Sequence, residues 1–198
     1  MKKINEIFYS LQGEGCHTGE AAVFIRFSGC NLSCWFCDTH HQNGIFMTDD
    51  EIVEKINSYP APWIILTGGE PSLWIDEGFI EEIKKKTGKS VAIETNGTHA
   101  VPSNIDWVTV SPKKTEDFID ESSMPDRADE VKVVYEGQPL EEYFQLPYVK
   151  EHTSFLLQPC YVEDENVYYE NISKTIKKIL EDPRWKLSMQ LHRMLGIK

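Results

Sequence analysis

The stretch TDDEIVEKINSYPAPWIILTGGEP, residues 48–71, decides the fold. In its first half Thr48 precedes a polar run, Glu51 follows three residues on, and Ile52, Ile56 and Tyr59 recur at helical spacing. Residues 48–59 are therefore predicted to form a helix that opens on a capping box. The second half, WIILTGGEP at 63–71, is a short apolar run broken by Gly and Pro. It is predicted to be a buried strand with a glycine turn at its carboxyl end. A helix followed directly by a buried strand is part of a right-handed crossover unit, from which parallel sheets are built.

The alternation continues on both sides. EIFYSL (6–11) and AAVFIRFSG (21–29) read as strands from their β-branched and aromatic content, with the glycine-rich QGEGCHTG between them as a loop. DEGFIEEIKKKTG (76–88) reads as a helix with a lysine-rich last turn and a glycine stop. Strands are expected at 90–98, 105–113, 130–137 and 153–161, then a helix at 171–182 and a strand at 185–192, WKLSMQLH. The acidic stretch from Thr115 to Asp129 is expected to be a solvated loop. A closed eightfold barrel takes about 250 residues. The 198 residues here therefore predict one α/β domain over 1–198, an incomplete, partial TIM-like barrel of about six mostly parallel strands with crossover helices. Such sheets carry their chemistry on loops at the carboxyl ends of the strands. The polar clusters at 68–71, 94–97, 111–113 and 158–161 all fall there, so they are expected to face one cavity.

Composition narrows the setting. Twenty basic against 32 acidic residues give a net charge of −12, the reverse of a nucleic-acid-binding footprint. With no long apolar run and no signal-peptide pattern at the start, neither a membrane span nor a nucleic-acid partner is expected, and the expected setting is the cytoplasm. Five cysteines are an odd number for a disulfide framework. Three of them, Cys30, Cys34 and Cys37, form CxxxCxxC in CNLSCWFCDT (30–39), while Cys16 and Cys160 stand alone.

Two readings of the trio are open from the residues themselves. Three thiolates on a [4Fe-4S] cube leave one iron without a protein ligand, and an open position is what makes a metal site catalytic. A Cys3His zinc knuckle completed by His40 or His41 satisfies tetrahedral geometry equally. Phe36, just before the last cysteine, suits the first reading as a shield that packs on an adenine; it also suits a plain core position. Arg26 lies four residues before Cys30 and offers a fixed fork for a carboxylate, although its apolar neighbours do not say which face of the strand it takes. Thr39 is either a hydroxyl ligand or a local cap on the loop backbone.

CxxxCxxC after a first strand, an aromatic before the last cysteine, and GGEP at the end of the next strand together resemble the radical S-adenosylmethionine (SAM) superfamily. FYSLQGEG, RFSGCNLSCWFCDT, TGGEP, ETNGT, SPK, QPCY and QLHRMLGIK resemble, within it, the 7-carboxy-7-deazaguanine synthases, and they span the chain. That resemblance implies ring contraction of 6-carboxy-5,6,7,8-tetrahydropterin to 7-carboxy-7-deazaguanine with loss of ammonia, in 7-deazapurine biosynthesis of the queuosine type. It implies a [4Fe-4S] cluster on Cys30, Cys34 and Cys37, SAM, and Mg2+ held by Thr39. It places SAM against Phe36, Cys37, Asp38, Gly68, Gly69, Glu70, Ser111, Pro112, Lys113, Gln158, Pro159, Cys160 and Tyr161, with Glu70 accepting from the methionine ammonium. It places the pterin against Leu11, Gln12, Gly13, Glu14, Thr67 and Arg26, the last on its carboxylate. Glu94 and His192 are implied pocket groups, and Cys16 and Gln190 have no role read. In the family the free carboxylate of the last residue reaches the substrate; here that residue is Lys198 rather than an apolar one. A homodimer and a low-potential electron donor such as flavodoxin or ferredoxin are the implied partners. A radical SAM enzyme that activates another protein, a pterin-binding protein without turnover and a zinc interaction module are the rival readings.

Overall fold

The structure, a computed structural model, describes residues 1–37, 39, 41–113 and 123–198. Thr48 caps α1 (Asp49–Asn57) through the expected box: its side chain accepts from the Glu51 backbone N–H, and the Glu51 carboxylate accepts from the Thr48 backbone. The strand that follows is β4 (Trp63–Gly68). It belongs to one sheet whose other members are β1 (Lys2–Leu11), β2 (Ala21–Phe27), β3 (Ile45–Met47), β5 (Ser90–Thr95), β6 (Trp107–Val110), β7 (Ala128–Tyr135), β8 (Val149–Pro159) and β9 (Trp185–Leu187). Their order is β3-β1-β2-β4-β5-β6-β7-β8-β9. Every pairing from β2 to β9 is parallel, and β1 runs antiparallel to both its neighbours. The sheet is a partial barrel that does not close. The other α-helices among the described residues are α2 (Glu77–Thr87), α3 (Glu165–Glu181) and α4 (Leu191–Leu195).

Strand alternation separates two apolar layers. Val23, Ile25 and Phe27 of β2, Ile64 and Leu66 of β4, and Val91 and Ile93 of β5 join Ile52 and Ile56 of α1 and Ile80 and Ile83 of α2 in the main core. Ala22, Phe24, Ile65 and Ala92 face the other way and form a smaller inner cluster with Phe8 of β1. Phe8 and Phe24 stack at 4.9 Å. Further along the same inner face come Arg26, Thr67, Glu94 and Lys132, so that face turns from apolar to polar toward the carboxyl ends of the strands.

Four elements differ from the sequence reading. The strand expected at 185–192 is three residues long: Ser188 N–H donates to Leu157 O at 2.9 Å, then Leu191 N–H turns to Gly13 O at 2.9 Å and α4 begins. The chain leaves the sheet because the loop after β1 supplies its next partner. The helix expected at 171 starts at Glu165, where Asp164 accepts from the N–H groups of Asn166 and Val167. Residues 114–122 of the expected acidic loop lie outside the described residues. Asp129, assigned to that loop, is buried in β7 and accepts from Val108 N–H at 2.8 Å. Strand β3, unpredicted, pairs with the start of β1.

Candidate active site

The cysteine loop leaves β2 at Phe27 and is clamped to the GGEP turn. Gly69 N–H donates to Phe27 O and Glu70 N–H to Gly29 O, both at 2.9 Å. The approach requires glycine: a Cβ on Gly69 would lie 1.8 Å from Gly29 O. Glu70 is fully buried. Its Oε1 accepts from Thr95 Oγ1 at 2.7 Å and Ser72 N–H at 3.1 Å, and its Oε2 from Asn96 N–H at 2.8 Å. Asn96 also donates to Asn31 Oδ1 at 2.9 Å, and Asn31 to Thr98 Oγ1 at 2.8 Å. The loops after β2, β4 and β5 are thus one hydrogen-bonded unit.

That unit borders a cavity of about 670 Å³. Cys30, Cys34, Cys37, Phe36 and Thr39 line it, as do Gly68 and Gly69, residues 94–96, Ser111 and Lys113, and the 158–161 turn, so the four expected loop clusters do meet. Asp38 and His40 lie outside the described residues. Pro112 and Glu70 are not on the wall, and Glu70 spends its oxygens on the protein's own donors. Burial pushes the Cys30 and Cys34 thiols up, and neighbouring thiols add to the shift, whereas Lys113 draws Cys34 back down. Among the described residues no three His, Cys, Asp or Glu side chains are grouped to hold one metal ion. A cube, which takes each thiolate on a different iron, asks for no such grouping, and three cysteines on one wall fit it. Lys113 donates to Ser111 Oγ beside the Phe36 ring, and burial lowers its pKa, with Lys132 adding to the shift. The Cys160 thiol is pushed up by burial. Tyr161 is covered by the Arg193 guanidinium at 3.7 Å.

The loop after β1 enters from the opposite end. Antiparallel β1 pairs Leu11 with Ala21, at the start of β2, so residues 12–20 lie near the amino ends of the parallel strands. There His17 wedges between Trp63 and Trp107, which begin β4 and β6. Gly15, at φ +72°, lets the backbone pass the Glu130 carboxylate, which a Cβ would meet at 2.4 Å. This plug forms the pocket floor. On it Gln12 Nε2 donates to Glu94 Oε1 at 3.0 Å, Gln190 Nε2 to Glu14 Oε1 at 2.9 Å, and the Lys132 ammonium to Glu14 Oε2 at 2.6 Å and Glu94 Oε2 at 2.7 Å. Burial raises the Glu94 pKa, against the pull of Lys132; the carboxylates around Lys132 outweigh burial and hold its pKa well above the usual lysine range.

Arg26 takes the inner face. Its Nε donates to Glu6 Oε1 at 2.9 Å and its Nη1 to Thr39 Oγ1 at 3.2 Å, directly across from Thr67 on β4. Burial would raise the Glu6 carboxyl, but hydrogen bonds from Lys198 and Arg26 bring it below the usual range. Lys198 closes over this corner: its ammonium reaches Glu6 and lies 5.0 Å above Phe8, and Ser10 Oγ donates to its backbone oxygen at 2.6 Å. Leu11, Gly13 and His192 line the wall; a Cβ on Gly13 would meet His192 Nδ1 at 2.6 Å. The sequence reading missed Lys132. Its signal was present in EVKVVYEG, where a lone lysine alternates with outward-facing Val131 and Val133.

A profile of the radical SAM superfamily matches residues 24–132. Over the full length of both chains, the sequence is 53% identical to the 7-carboxy-7-deazaguanine synthase of Bacteroides thetaiotaomicron. It is 36% identical to that of Haemophilus influenzae, over 98% of this chain and 93% of the relative. Among solved structures, QueE from Escherichia coli superposes with a TM-score of 0.78 at 29% identity, covering 96% of this chain and 94% of that one.

Proposed function

We propose how this chain, which belongs to the 7-carboxy-7-deazaguanine synthase family of the radical SAM superfamily, divides its pocket between cofactor and substrate. The enzyme contracts the ring of 6-carboxy-5,6,7,8-tetrahydropterin to 7-carboxy-7-deazaguanine with loss of ammonia. It works with a [4Fe-4S] cluster, SAM and Mg2+. One observation carries the division: the same cavity has three cysteines on its wall at the carboxyl ends of the strands and paired carboxylates on its floor.

Cys30, Cys34 and Cys37 hold the cluster, which together with SAM supplies, when bound, a carbon radical able to take hydrogen from the pterin. Gly68 and Gly69 offer bare backbone to the methionine end, while Phe36, Ser111, Lys113, Gln158, Pro159, Cys160 and Tyr161, with Asp38, hold the rest of SAM. Glu70 acts from behind, fixing the turn through its three donors. Gln12, Glu14 and the Leu11 and Gly13 backbone read the pterin's donor and acceptor edge, with Thr67 beside them. The Arg26 fork holds the substrate carboxylate, and Lys198 adds a second positive group at that corner. Thr39 offers Mg2+ a hard hydroxyl oxygen; it accepts one bond from Arg26, and substrate oxygens and water complete such a shell. The plug below and the clamped loops above keep water from the reacting atoms.

The chain is read as one domain, active as a homodimer in the cytoplasm, with flavodoxin or ferredoxin as electron donor. No helix among the described residues is long and apolar enough to cross a membrane. Anaerobic reconstitution with SAM, a reductant and the carboxypterin is the test, and the deazaguanine acid is the expected product. A cluster-loaded protein that cleaves SAM and leaves the pterin unchanged would refute the assignment of substrate. Thr39→Ala is expected to weaken the response to Mg2+, and an unchanged response removes Thr39 from the metal's shell.

A further inference from the structure

The pocket floor is built around one buried cation. Lys132 points inward from β7 with 5% of its surface exposed and spans Glu14, which comes from the loop after β1, and Glu94, which comes from β5. The remaining oxygen of each carboxylate is held by an amide, Gln190 on Glu14 and Gln12 on Glu94. Gln12 is itself oriented, since its Oε1 accepts from Glu14 N–H at 3.2 Å. Each of these carboxylate oxygens accepts from a protein donor, and an ionised carboxylate oxygen can accept more than one hydrogen bond. Four separated parts of the chain therefore meet at a single ammonium.

Stability alone does not account for this arrangement. A buried ion cluster adds little over a well-packed apolar group of the same size. Perturbed, desolvated ionisable groups gathered in a cleft are the mark of a working site. The charged groups that surround Lys132 are Glu14, Glu94 and Glu130, with Lys113 beyond them. Three acids around one central ammonium leave a floor with an excess of acceptors.

We propose, resting on the reading of this pocket as a pterin site, that Lys132 is a positioning residue for the substrate: it holds Glu14 and Glu94 side by side as paired acceptors for the amino and ring N–H donors of the 2-amino-4-oxopyrimidine edge. Without the ammonium two adjacent carboxylates repel, and one takes a proton. A protonated carboxyl presents a donor where the pterin needs an acceptor. The direction of the shifts agrees: the acids hold Lys132 in its charged form, and Glu94, raised by burial and then by Glu14 and Glu130, is the acid that gains the proton when Lys132 is lost.

The test compares cluster-loaded wild type, Lys132→Met and Lys132→Arg. Lys132→Met is expected to raise the KM for the carboxypterin by about tenfold or more, the loss of a charge-assisted hydrogen bond, with cluster absorption and SAM affinity unchanged. Its infrared spectrum at neutral pH is expected to gain a protonated-carboxyl band that Lys132→Arg, which keeps the charge, lacks. A pterin KM within about twofold of wild type, or pterin and SAM affinities falling together with the melting temperature, overturns the proposal. If Lys132→Met does not fold, Lys132→Gln, which keeps a donor and loses the charge, takes its place: a pterin KM within about twofold of wild type together with no protonated-carboxyl band overturns the proposal. A wild type that cleaves SAM but ignores the pterin sinks the functional reading instead, while the infrared band still judges the pairing.

Discussion

Replacing Glu70 with Gln separates a support for the turn from a ligand-binding group. The carboxylate is fully buried and accepts three hydrogen bonds, from Thr95 Oγ1, Ser72 N–H and Asn96 N–H. An amide has one oxygen, so whichever way it sits its NH2 group faces a backbone N–H, that of Asn96 or of Ser72. Each charge-assisted bond to a buried acceptor contributes about 1.5 to 3 kcal/mol, and an orphaned donor costs about 1 to 3 kcal/mol more. Removing the charge recovers part of the desolvation cost, which leaves a net loss of about 2 to 3 kcal/mol. For a chain of this size that corresponds to a melting temperature lower by roughly 4 to 12 °C. Thermal unfolding of the metal-free protein reads it directly, since neither cluster nor SAM is then present. A variant that melts with wild type yet binds SAM at least about tenfold more weakly, a difference of roughly 1.4 kcal/mol, would show that the Glu70 carboxylate meets the cofactor, and the reasoning would fail.

Three further outcomes are expected. Gly69→Ala should lose the cluster along with stability, because the methyl group collides with the Gly29 carbonyl on the cysteine loop; iron content after reconstitution equal to wild type contradicts that contact. Thr48→Ala should cost about 1 kcal/mol in denaturant melts with turnover per folded molecule unchanged, and an unshifted midpoint means that the cap on α1 does not matter to stability. Cys16 is exposed, yet partial desolvation and then the Glu130 carboxylate push its thiol up to about 11. Alkylation mapped by mass spectrometry should therefore label Cys16 slowly at about pH 8, where an ordinary thiol is partly ionised, and faster as pH rises toward 11; free-thiol rates at the lower pH contradict the shift.

Local pattern reached far into this chain where its physics is local. The capping box at Thr48, the glycine stop at Gly88 in left-handed conformation, and the polar turns at the ends of β4, β5 and β8 are short-range features, set within a few residues. The cysteine spacing and the GGEP turn were equally legible, because both depend on a single loop. What failed was the end of the chain. WKLSMQLH alternates well enough to read as a strand, yet its backbone is claimed after Ser188 by Gly13, a partner from the other end of the sequence.

Residue types and spacing by themselves determined the class of fold and the cluster of three thiols, since each follows from periodicity or from a short motif. Tertiary structure alone decided which face Arg26 takes, that the loop after β1 plugs the barrel from below, and that Lys132 meets Glu14 across 118 residues and Gln190 meets it across 176. The reason is geometric: strand order and sheet curvature bring distant side chains to one point, and hydrogen bonds with a reach of about 3 Å form only after that placement is made.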